Sequence, residues 1–164
     1  MKTKYITYLL FCFSTFCFAQ ISTTKMNELK IGMRPAQIMK LLGSKPTAIA
    51  DNNETNIKVN GINYTIYIQE GYLSKGEGDT YLGSISTTSK VIKTLSGVGV
   101  GSTVEDLWNA YSSKYNVFLS KSENNFREFR IQDEENGTML IFELKNEIVT
   151  KININSYNPE ECTL

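Results

Sequence analysis

Ile38, Leu41 and Leu42 stand at i, i+3 and i+4 in "PAQIMKLL", the spacing of one helical face. Pro35 suits a first helical turn and Gly43 a stop, so the pattern predicts a short helix over 35–42. The period then changes to two. In "ETNIKVNGINYTIYIQE", Ile57 and Val59, then Ile62, Tyr64, Ile66 and Ile68, alternate with polar residues, which predicts two strands. Asn60-Gly61 between them is the dipeptide of a tight hairpin turn. "GYLSKGEGD" reads as a flexible loop and "TYLGSISTTS" as a third strand.

The second half follows the same plan. Val104, Leu107, Trp108 and Tyr111 form a helical stripe in "TVEDLWNAYSSKY", with Trp108 and Tyr111 expected in the core. "NVFLSKS", "FREFRIQD", "TMLIFEL" and "EIVTKININS" read as strands, with turns at Asn136-Gly137 and Lys145-Asn146. In the last run Ile148, Thr150, Ile152 and Ile154 are expected on one face. "ISTT" occurs at 21–24 and again at 85–88, and "GMRPAQIMKLL" aligns with "GSTVEDLWNAY". The expected fold is α+β: two tandem helix-plus-antiparallel-meander repeats, residues 20–90 and 91–164, with both helices packed on one face of the sheet.

Residues 1–19 read as a signal peptide. "MKTK" is a basic leader, "YITYLLFCFSTFCF" an apolar run, and "CFA" a small-x-small cleavage site. The expected location is therefore periplasmic or secreted, with no stable membrane anchor after cleavage. Cys12 and Cys17 each follow Phe rather than a small residue, so lipid attachment is not expected, and cleavage leaves Cys162 as the only thiol. The mature charge is near neutral: removing Lys2 and Lys4 from 17 basic residues leaves 15 against 17 acidic ones. Nucleic-acid binders carry a basic excess, so no nucleic-acid partner is expected. The chain has no histidine, which excludes His-based triads, His-zinc sites and histidine general bases.

"IGMRPAQIMKLLGSKP" resembles the "GMT-x-x-x-V-x-x-LLG-x-P" signature of SmpA/OmlA-type outer-membrane assembly lipoproteins, with Arg34 where that signature has Thr. The tandem layout is similar to that of the β-lactamase inhibitory proteins. The resemblance implies a periplasmic or secreted module that binds another protein.

Candidate chemistry is sparse. "SGVGVGST" is glycine-rich before a helix, but it lacks the Lys of a phosphate loop and the spacing of a dinucleotide fingerprint. Ser102 and Glu105 fit a capping box there. "STTK" at 22–25 has the S-x-x-K form of penicillin-recognising enzymes without their S-D-N and K-T-G elements. Asp133, Glu134 and Glu135 flank a turn without a calcium-loop pattern. No catalytic residue, cofactor or metal site is expected.

Tyr67, Arg130, Ile141 and Lys151 share the outward parity of their strands. A bare sheet face with Tyr, Arg and Ile has the composition of a protein-binding surface, and equally that of a solvated face. Tyr72, in the 70–79 loop, marks an alternative surface. The expected function is an exported, non-catalytic protein-binding module of inhibitor, immunity or scaffold type. A carboxylate-dependent hydrolase and a small-ligand carrier are the alternatives.

Overall fold

Alternation builds most of the molecule. The computed structural model describes residues 21–43, 54–70, 80–121 and 123–157. In chain order the elements are β1 (Lys25–Met26), β2 (Leu29–Lys30), α1 (Pro35–Leu42), β3 (Glu54–Val59), β4 (Ile62–Glu70) and β5 (Thr80–Thr87). They continue with α2 (Val104–Tyr111), β6 (Val117–Leu119), β7 (Phe126–Asp133), β8 (Thr138–Lys145) and β9 (Ile148–Ser156). Asn60 and Gly61 turn β3 into β4 with φ of 49° and 82°. Both angles are positive, as a twist-matched hairpin turn requires. The last hairpin turns through Asn146 and Glu147, at φ of 52° and 63°, one residue beyond the expected Lys145-Asn146, because Lys145 is still paired with Ile148.

The strands form one antiparallel seven-stranded sheet, in the order β3-β4-β5-β9-β8-β7-β6, beside the two-stranded β1-β2 sheet. The expectation of an α+β protein made of two tandem helix-plus-meander repeats is therefore corrected: the described residues are mainly β. The physical reason is the small share of the helices against a sheet that runs unbroken through its centre. β5 pairs with β9 through Ser84–Asn155, Ile85–Ile154, Ser86–Asn153 and Thr87–Ile152. These bonds fuse the 20–90 and 91–164 segments into one sheet with one core. The two helices are eight residues each and bury only Ile38, Met39, Leu107 and Tyr111.

Helices are thus a minor part of the cover. The β1–β2 hairpin supplies Met26 and Leu29, and the turn after β5 supplies Ile92 and Val98. All four join Ile66, Ile85, Phe129, Phe142, Ile152 and Ile154 in one apolar cluster. Burying such side chains contributes about 1.5–3 kcal/mol each. Asn27 Nδ2 donates to the Tyr64 hydroxyl at 2.7 Å and Asn60 Nδ2 to Glu28 Oε1 at 2.9 Å, which lock the hairpin to the β3–β4 end. Burial pushes the Tyr64 phenol above its ordinary value, partly offset by the Asn27 bond.

Three local expectations also change. Trp108 is 48% exposed rather than core. It meets Phe129 edge-on at 6.2 Å, while Tyr111 turns inward to Phe142 at 6.0 Å. The α2 cap is Thr103 with Asp106, one residue along from Ser102 and Glu105: Asp106 N–H donates to Thr103 Oγ1 and Thr103 N–H to Asp106 Oδ2. In β9 the pairing slips beside Glu143 and Leu144, which face Lys151 and Val149 and leave Thr150 as the extra residue. Val149 is buried in consequence, and Ile148 and Thr150 are exposed.

The signal segment, Cys162, Tyr72 and the 71–79 part of the alternative loop lie outside the described residues. Among the described residues no helix is long and apolar enough to cross a membrane.

Candidate functional site

Side chains along a strand alternate between faces. One set points into the cluster above. The opposite set forms a face on which no described helix or hairpin packs. Across it one row runs Tyr67, Ser84, Asn155, Met139, Gln132. The next runs Thr65, Ser86, Asn153, Ile141, Arg130, Phe118. The structure thus brings Tyr67, Arg130 and Ile141 to one face. Lys151 stands there too, opposite Glu143.

Side-chain size falls toward the middle of these rows. β5 contributes Ser84 and Ser86, and β9 contributes Asn153 and Asn155. Larger groups flank them: Tyr67 on β4, and Met139, Ile141, Arg130 and Phe118 toward the β6 edge. Phe118 is 57% exposed. At the centre Ser84 Oγ donates to Asn153 Oδ1 at 3.0 Å, and at the β3–β4 edge Thr65 Oγ1 donates to Asn56 Oδ1 at 2.7 Å. Such bonds hold rotamers in place, which lowers the ordering cost of any contact made there.

A second network closes one end. β4 and β5 slip register between Tyr67 and Ile68, and Gly83 leaves room for the Gln69 side chain. A Cβ on Gly83 would stand 2.3 Å from Gln69 Oε1. Gln69 Nε2 donates to the Tyr81 hydroxyl and, at 2.9 Å, to Ser156 Oγ, which donates on to the Gly83 carbonyl at 3.3 Å.

Charge on the face is paired. Arg130 Nε donates to Glu128 Oε2 at 2.8 Å, and Lys151 Nζ lies 3.1 Å from Glu143 Oε1. Glu128 and Glu143 oppose each other in register, each beside its own cation. These pairs are solvent-accessible and add little stability. They stand on an open face rather than in a cleft.

A shallow groove lies at the margin of this face, between the end of α2 and the β7–β8 turn, lined by Lys114, Tyr115, Gln132, Asp133 and Glu134. Asp133 there accepts from the Thr23 hydroxyl at 2.6 Å and from Asn136 N–H and Nδ2. Partial burial raises its carboxyl, but these bonds outweigh it and leave the group below the ordinary value. Among the described residues no three His, Cys, Asp or Glu are grouped to hold a metal.

The glycine stretch is backbone structure. Gly101 N–H donates to the Val149 carbonyl at 2.8 Å and Val149 N–H to the Ser102 carbonyl at 2.9 Å, so the loop pairs with the start of β9. In the "STTK" segment the Ser22 hydroxyl accepts from the Thr24 and Lys25 amides, as a turn serine does.

Sequence reasoning missed Phe118, Met139, Asn153 and Asn155 on the face. The alternation of Asn153 and Asn155 with Ile152 and Ile154 carried the signal for β9. Phe118 sits in a three-residue strand, too short for its parity to be read.

No protein-family model matches the chain, and no curated protein or solved structure matches it either.

Proposed function

We propose that this chain is an exported, non-catalytic module that binds a folded protein through the uncovered sheet face. One observation carries the reading. Tyr67, Arg130 and Ile141 share that face with Phe118, around a centre of small Ser and Asn side chains in which Ser84 is bonded to Asn153. Tyr and Arg are the residues that dominate interface energetics. A rigid surface of fixed rotamers loses little entropy on association. The basic, apolar leader and the SmpA/OmlA-like stretch at 31–46 support an envelope or extracellular location.

The test is capture from an envelope extract with the chain and with Tyr67→Ala/Arg130→Ala. The double variant is expected to keep its far-UV spectrum and melting temperature and to lose its partner, by at least tenfold in affinity. Undiminished capture by the folded double variant removes the assignment.

A further inference from the structure

Among the described residues, the two most exposed large apolar side chains lie on the covered side of the sheet, away from the proposed partner face. They are Leu95, 86% exposed, and Val91, 75% exposed. Both belong to the turn that follows β5. Isolated surface apolar residues are ordinary, but these are presented in a built way. Ile92, Thr94 and Val98 are buried and fasten the turn to the core. Thr94 N–H donates to the Val98 carbonyl and Gly97 N–H to the Thr94 carbonyl, each at 2.9 Å, and Lys93 bridges to Gly99. The alternation that sends Ile92 and Thr94 inward sends Val91, Lys93 and Leu95 outward.

The charged residues of the turn itself have one sign. Lys90 precedes Val91 and Lys93 stands between Val91 and Leu95, and neither makes an ion pair among the described residues. From residue 80 to residue 104 the sequence contains no Asp or Glu. Exposed aliphatic tips with lysines whose stems are apolar and whose heads are free match the boundary of an anionic bilayer. There the tips enter the acyl region and the ammonium groups stay among the headgroups.

We propose that the 90–97 turn docks reversibly on anionic membrane surfaces, with Val91 and Leu95 inserted and Lys90 and Lys93 on lipid headgroups. A rigid turn is suited to this because insertion orders nothing further. Docking by this side leaves the open sheet face directed away from the bilayer.

Trp108 is the only tryptophan of the chain, so a site-specific reporter works in the full-length protein. Trp108→Phe/Leu95→Trp is mixed with vesicles of equal parts phosphatidylserine and phosphatidylcholine, with brominated acyl chains as quencher. Trp108→Phe/Phe118→Trp, reporting from the opposite face, is the control. Docking predicts a blue shift and quenching at position 95 but not at 118. Adding Lys90→Gln/Lys93→Gln is expected to weaken it roughly tenfold or more. An unshifted reporter at position 95, or equal quenching at 95 and 118, overturns the proposal. A shift that grows with protein concentration in the absence of lipid assigns the turn to self-association and overturns it as well.

Discussion

The Thr23 hydroxyl donates to the Asp133 carboxylate at 2.6 Å, joining the start of the described chain to the end of β7, 110 positions away. Asp133 ends its strand at the edge of the groove beside α2, and the bond fastens the segment leading into β1 to that corner. Because the folded carboxyl sits below the ordinary value of 3.8, the folded state binds this proton less readily than the unfolded chain. The stabilisation is therefore fully present above the unfolded value and is lost as pH falls through the folded one. Asp133→Asn is expected to be less stable than the parent in urea at pH 7, with the gap closing as pH falls below about 4. A gap that widens in acid contradicts this.

The Ile85–Ile154 pair joins the two parts of the sheet at its centre, and both side chains are fully buried. Ile154→Ala is expected to cost about 2–5 kcal/mol. One shared core also implies one transition. Urea unfolding followed by far-UV dichroism, which reads all strands, and by Trp108 fluorescence, which reads α2 against β7, is expected to coincide. Two separated midpoints contradict the single sheet.

Thr138 is buried at 2% exposure and its hydroxyl has no hydrogen-bond partner. Thr138→Val keeps the shape and removes the unsatisfied group. The expected outcome is a gain of about 1 kcal/mol and a higher melting temperature. A loss of stability shows that the hydroxyl is satisfied in solution.

The cap of α2 is Thr103 with Asp106, not Ser102 with Glu105. Thr103→Ala removes an N-cap oxygen and is expected to cost about 1 kcal/mol. Glu105→Ala, outside the observed box, is expected to change stability by less than about 0.5 kcal/mol. Equal costs contradict the Thr103–Asp106 cap.

Local pattern carried much of this architecture. The α1 helix, the β3–β4 hairpin and the strands of the second half follow from spacing and turn residues. The tandem helix-plus-meander repeat is what the structure does not bear out. "ISTT" at 85–88 closes strand β5. At 21–24 the same four residues form a bridge and a serine turn. Four residues do not determine structure without their neighbours, and so the repeat was not real evidence of duplication. Adjacency of β5 and β9 has no local signature, because the partners lie about seventy positions apart. The β1–β2 hairpin was illegible because each strand has two residues, too few to show a period. Tyr67, Arg130, Ile141 and Lys151 could be placed on a common face by parity, whereas the slip at Thr150 could not be foreseen from alternation.

Side-chain oxidation footprinting in an envelope extract tests the central claim most directly, because it distinguishes the faces whatever the partner is. Binding through the uncovered face predicts that Tyr67, Phe118 and Met139 become protected while Trp108 and Tyr115 on α2 and its end keep their reactivity. Protection confined to Trp108 and Tyr115, with Tyr67, Phe118 and Met139 unchanged, contradicts it.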